Sequence, residues 1–182
     1  MMYDDILTFK TIAARTAVVH TLTYFTVGLL AYSLFSYSAQ FADPALSPYV
    51  GQATDPLVQA SVLFQLIPGF LFGLVFYLLK DVLFRRRNGW MVLWITLIVL
   101  GIVSTLGTAP GSIDGLIYTN LPAAGLWGGL VEVLTQSLLF SFITCYWVNH
   151  PEKSWLSWVL GILFAIAVIL PALGLLAGLA TS

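Results

Sequence analysis

Glu132 is the residue around which any chemistry of this chain has to be arranged. It is the one acidic residue set well inside a long apolar stretch, residues 125–150, and Gln136 follows it one helical turn later. In hydrocarbon an ionised carboxylate is costly and a neutral one still needs a hydrogen-bond partner, so other segments must shelter it. Taking the midpoint of each apolar segment as the bilayer centre puts Glu132 roughly 6 Å and Gln65 roughly 4 to 5 Å to one side, with Gln136 at the centre. His20 falls roughly 9 Å to the other side. A Glu132–Gln65–Gln136 cluster is therefore expected, and a direct Glu132–His20 pair is not. Pro68 and Gly69 stand just after Gln65 at mid-segment. Proline removes a helical hydrogen bond and displaces the carbonyl near Phe64, exposing polar backbone beside Gln65. Two readings follow. One is a proton- or cation-binding carboxylate in a polar path through Glu132, Gln136, Gln65 and Pro68. The other is a neutral glutamic acid bonded to Gln65, interhelical glue worth about 1 kcal/mol.

The secondary candidates are weaker. His20 lies close to Arg15, Thr16, Thr23 and Tyr24, which suits a proton relay but equally a histidine bonded to a neighbouring helix. Asp114 sits in a stretch, 107–124, that mixes turn residues with an apolar run. A surface-lying or re-entrant segment there would bring Asp114 towards the outer approach to Glu132. Arg85, Arg86 and Arg87 form a basic loop that sets topology and suits anionic lipid headgroups. One cysteine and two histidines leave no metal-ligand spacing, so no metal and no cofactor is expected. With no paired carboxylates, and no nucleophile beside a base at matching depth, an enzyme is the weaker expectation.

Positioning these residues requires membrane helices. Of 182 residues 59% are hydrophobic and 8% charged, and the mean hydropathy is +0.95. Soluble domains carry about 25% charged residues, so the lipid bilayer is the expected solvent. The net charge of -1 offers no field for nucleic acid. A crossing needs about 20 apolar residues, and five segments qualify or nearly do: 16–35, 57–79, 90–106, 125–148 and 155–179, the third being short. All seven Lys and Arg residues lie before the first, between the second and third, or between the fourth and fifth. The positive-inside rule then puts the N-terminus in the cytoplasm and the C-terminus outside. Trp90, Trp94, Trp147, Trp155 and Trp158 flank the same face, the expected level of an aromatic belt. Residues 1–15 read as a short helix lying on the inner surface.

Gly69/Gly73, Gly125/Gly129 and Gly174/Gly178 are small-xxx-small pairs, suited to close packing within the bundle, in a homo-oligomer or against a membrane partner protein. Leu57-Val58-Gln59 and Leu130-Val131-Glu132 open the second and fourth segments, a hint of a weak parallel repeat of spans 2–3 and 4–5. His20-Thr21-Leu22-Thr23-Tyr24 and Gln65-Leu66-Ile67-Pro68-Gly69 resemble short signatures of VanZ-like membrane proteins. Phe70 stands where that likeness wants an arginine, and the polar residues expected further along the helix are absent, so it is not adopted.

The sequence thus reads as one membrane domain, 1–182, an all-α five-span bundle in a prokaryotic plasma membrane. Spans two and four are expected at its centre and the fifth at the periphery. The leading expectation is a small transporter or channel-like protein. A non-catalytic membrane subunit of a larger complex is the alternative, and an inner-face enzyme using His20 and Arg15 the third.

Overall fold

The computed structural model describes residues 7–44, 47, 51, 55–104, 112–118 and 123–181. The chain is all-helical, with no strand among the described residues. In order, the helices are α1 (Phe9–Leu34), α2 (Tyr37–Phe41), α3 (Pro56–Gln59), α4 (Ser61–Phe64), α5 (Leu66–Leu78), α6 (Lys80–Leu83), α7 (Gly89–Ile98, prolonged by a π-helical turn, Val99–Val103), α8 (Ile113–Tyr118), α9 (Ala123–Asn149) and α10 (Ser154–Thr181). Among the described residues four helical stretches are long and apolar enough to cross a membrane: Phe9–Leu34, Ser61–Leu78, Trp127–Asn149 and Ser154–Leu176. Gly89–Val103 is apolar but shorter, about 22 Å at 1.5 Å per residue against a hydrocarbon core of about 30 Å. Large side chains exposed along these helices, among them Leu34, Leu78, Leu100, Leu170 and Trp158, give the molecule an apolar exterior that only lipid or protein can cover.

The central helix is α1. It packs along both α5 and α9 and touches α10, so the second and fourth segments flank the first instead of forming the centre themselves. α10 is the least buried of the four long helices. The physical reason lies in α1's side chains. Gly69 and Gly73 of α5 stand against Ala17 and Ala13 of α1: a Cβ on Gly69 would come within 2.8 Å of the Ala17 Cα, and one on Gly73 within 2.5 Å of the Ala13 Cα. Small residues four apart on both helices let the two backbones approach closely, and dispersion over that contact replaces the missing hydrophobic drive.

α1 also begins earlier than the apolar pattern suggests. Thr8 caps it, its hydroxyl accepting from the Thr11 N–H at 3.3 Å, and the helix runs unbroken from Phe9. Phe9 packs edge-on against Phe70 and Tyr77, and Ile12 is fully buried. Residues 9–15 are thus the first turns of the central helix and not a separate surface helix; residues 1–6 lie outside the described residues. Trp147 is buried against its neighbours, its indole N–H donating to Ser157 Oγ at 2.9 Å. The two halves proposed as repeats differ in form: α4 and α5 are separated by a turn at Gln65 while α9 is continuous, and α7 ends in a π turn while α10 runs 28 residues.

Candidate functional site

The polar residues gather on the contact between α1 and α9. Gly28 of α1 faces Glu132 of α9, the His20 ring meets Phe140 at 5.3 Å, and the Arg15 guanidinium donates to the Trp147 carbonyl. These three contacts define an antiparallel register in which α1 residue numbers fall as α9 numbers rise, their sum staying near 160. Thr16, His20 and Thr23 recur at helical spacing on α1, and Ser137, Ser141 and Thr144 at the same spacing on α9; all six are buried. By the register they share levels across one seam. From Glu132 to Thr144 that seam runs about 18 Å along α9 at 1.5 Å per residue.

Some of these hydroxyls are satisfied within their own helix. Thr23 Oγ1 donates to the Val19 carbonyl at 2.9 Å, and Ser141 Oγ to the Ser137 carbonyl at 2.7 Å. Others are not. Thr16 Oγ1, His20 Nδ1, Thr21 Oγ1 and Thr144 Oγ1 are buried with no hydrogen-bond partner among the described residues. An unpaired buried polar atom costs roughly 1–3 kcal/mol, so these four are groups that would gain a partner if a transferred species entered the seam.

At the end of the seam away from Arg15, Glu132 is half-buried, and the Tyr37 hydroxyl donates to its Oε2 at 2.7 Å. Tyr37 reaches it because Ser36 adopts a left-handed conformation, φ 51° and ψ 46°, which ends α1 and turns α2 back over the bundle. Tyr37 stacks between Phe35 and Phe41, which fixes its ring. Burial and the neighbouring Glu132 carboxylate hold the phenol above its ordinary pKa, so it remains a donor. Tyr24, Tyr32, Tyr37, Ser61 and Glu132 line an open cavity on this side.

Next along the seam is a cavity of about 230 Å³ lined by His20, Gln136, Ser137, Phe72, Phe140 and the π turn at Gly101 and Ile102. His20 is 7% exposed and held between the rings of Phe72 and Phe140. Its ring approaches the Gln65 backbone at the turn between α4 and α5. There Pro68 has no N–H to return to Phe64, and the Gly69 N–H bonds the Gln65 carbonyl at 3.0 Å.

The expected three-residue cluster does not form. Glu132 takes Tyr37 as its partner, Gln136 lies with His20, and Gln65 lines a third, more open recess with Tyr24 and Ser61. Asp114 is exposed on α8, which makes no extensive packing with other helices among the described residues. Arg15 lies over the Trp147 ring, 5.1 Å from its centroid. Of the glycines, Gly69 and Gly73 are used inside the chain, whereas Gly129 and Gly174 face open space. The side-chain surroundings of Gly125 and Gly178 lie outside the described residues.

Sequence reasoning missed Tyr37 and the serine and threonine line of α9. The i, i+4, i+7 spacing of Ser137, Ser141 and Thr144, mirrored by Thr16, His20 and Thr23, was the available signal. No group of three or more His, Cys, Asp or Glu able to hold a metal occurs among the described residues. No family model, curated protein or solved structure matches this chain.

Proposed function

We propose that the protein is a small proton-conducting membrane protein whose path follows the α1–α9 seam, from the Glu132 cavity past Gln136 and His20 to the Thr16 and Thr144 level beside Arg15. The observation that carries this reading is the pair of buried polar lines at matching levels on α1 and α9, in which Thr16, His20 and Thr144 each hold a side-chain atom unpaired among the described residues. Glu132 exchanges a proton with the open cavity, with the Tyr37 hydroxyl fixing the carboxyl's orientation. Gln136 cannot carry a proton itself but spans one helical turn towards His20, whose ring nitrogens can both accept and donate. The aromatic packing of Phe72, Phe76 and Phe140 excludes larger solutes at that level.

In this reading Gly89–Val103 makes a fifth, thinned crossing, the N-terminus is cytoplasmic and the C-terminus outside. Two facts favour it: Arg15 meets Trp147 near the end of α9, and Arg86 and Arg87 stand beside His150 at that same end. With Lys153 bonded to Tyr146 there as well, basic residues from three separate segments collect at one end of the bundle, the distribution the positive-inside rule favours.

Reconstitution tests the reading. Proteoliposomes carrying a pH gradient and an internal pH-sensitive dye should lose the gradient faster than empty vesicles, and Glu132→Gln should return the rate to the empty-vesicle level with the helix content unchanged. Equal rates for wild type and empty vesicles would reject it. The alternative, a subunit of a larger membrane assembly, is favoured by the open faces at Gly129 and Gly174. It predicts co-purification of a partner that Gly129→Leu abolishes.

A further inference from the structure

The arginines between α6 and α7 are not equivalent. Arg85 is tied to Asp81 one turn back, Nε to Oδ1 at 2.9 Å. Arg86 and Arg87 turn the other way and line a pocket of about 120 Å³ against the end of α9, with Trp90, Tyr146, Asn149 and His150. Among the described residues no carboxylate lines it. The turn that brings the arginines there is tight: the Gly89 N–H bonds the Arg86 carbonyl at 3.1 Å, and a Cβ on Gly89 would fall 1.8 Å from the Leu83 carbonyl oxygen. Only glycine fits that approach.

The opposite wall is equally ordered. The His150 ring stacks on Tyr146 at 4.2 Å, and its Nδ1 bonds the Tyr146 carbonyl at 2.8 Å. A carbonyl only accepts, so Nδ1 carries the proton and Nε2 is the free ring nitrogen. Lys153 bonds the Tyr146 hydroxyl from the far side and lies over its ring at 4.6 Å. Below the pocket, Trp90 packs edge-on against Phe142, continuing into the apolar outer surfaces of α7 and α9 where Met91, Ile95 and Leu139 are exposed.

The geometry points to a phosphate-binding site formed by Arg86, Arg87 and the His150 end of α9, occupied by the headgroup of an anionic phospholipid whose chains lie along the α7–α9 surface. Two guanidinium forks from adjacent residues match the oxygens of one phosphate, and Trp90 supplies the interfacial ring. The site stands apart from the α1–α9 seam and holds whether or not the seam conducts.

The test uses purified full-length protein in a neutral detergent, with binding read by native mass spectrometry and thermal shift. The probes are short-chain phosphatidylglycerol, short-chain phosphatidylcholine and inorganic phosphate. Phosphatidylglycerol should bind wild type and Arg85→Gln alike, and Arg86→Gln/Arg87→Gln should weaken it roughly tenfold. Phosphatidylcholine and inorganic phosphate should bind much less in all. Since removing two topogenic charges can disturb insertion, Arg86→Lys/Arg87→Lys keeps the charge and removes the fork; it should insert normally and still bind several-fold more weakly. Inorganic phosphate competing at the same arginines as well as the lipid does would overturn the lipid assignment in favour of a soluble phosphate. Equal losses from Arg85→Gln and the double variants, or equal binding of both lipids, would overturn the site.

Discussion

At the residue scale, the decisive groups are a carboxyl with one strong partner and several hydroxyls with none. Tyr37 donates to Glu132, whereas Thr16 and Thr144 are fully buried and unpaired among the described residues. Valine has nearly the shape of threonine without its polar atom, so replacing an unsatisfied hydroxyl in a dry site is neutral or stabilising. Thr16→Val and Thr144→Val are expected to keep or slightly raise the melting temperature in detergent while slowing proton flux in vesicles. A drop in stability with unchanged flux would mark these hydroxyls as structural. Glu132 was legible from sequence because an isolated carboxylate in an apolar run is rare on energetic grounds. Its partner was not, because Tyr37 reaches the site only through the left-handed backbone at Ser36, which no periodicity encodes.

At the element scale, the contact between α1 and α5 rests on backbone proximity. A methyl group at Gly73 would meet the Ala13 Cα at 2.5 Å, an overlap that moving a flexible side-chain end cannot relieve, whereas a methyl group at Gly129 meets nothing within 4 Å. Gly73→Ala should therefore destabilise the protein by roughly 1–3 kcal/mol, as overpacking generally does, and Gly129→Ala should leave its thermal unfolding in detergent unchanged. Equal melting temperatures for the two variants would contradict the helix contact. The glycine pairs were visible in the sequence, but which of them pack inside the chain was not, since small-xxx-small spacing is the same for either use. The serine and threonine line of α9 escaped for a related reason. Hydroxyls that bond their own helix are tolerated on any face, so only the matching line on α1 gives them meaning.

At the scale of the whole molecule, the most buried long helix, α1, is among the less apolar, and the least buried, α10, is the most apolar. In a bilayer this is the expected relation, because lipid-facing surface must be apolar whereas an interior helix can carry polar side chains that neighbours cover. The strong apolarity of the fifth span did mark it as peripheral, whereas placing the second and fourth spans, which carry Gln65 and Glu132, at the centre missed the less apolar α1 they pack against. The number of crossings can be tested in a Cys145→Ser background, which removes the one native thiol. Asp43 and Asp114 are exposed, on either side of the α4–α7 region. With Gly89–Val103 spanning, cysteines at both positions should react with an impermeant maleimide from outside intact cells, and Arg87→Cys should react only after permeabilisation. If Asp114→Cys instead behaves like Arg87→Cys, α7 does not cross.

The most direct measurement is infrared difference spectroscopy of the Glu132 carboxyl, using purified protein with Glu132→Gln as the reference. A carboxylate at the wet head of the seam, in contact with the Tyr24–Tyr37 cavity, should give a carboxyl band that changes with bulk pH and shifts within the mixing time in heavy water. A band that ignores both pH and heavy water would show Glu132 to be sealed as interhelical glue, and the proposed proton path would have no entrance.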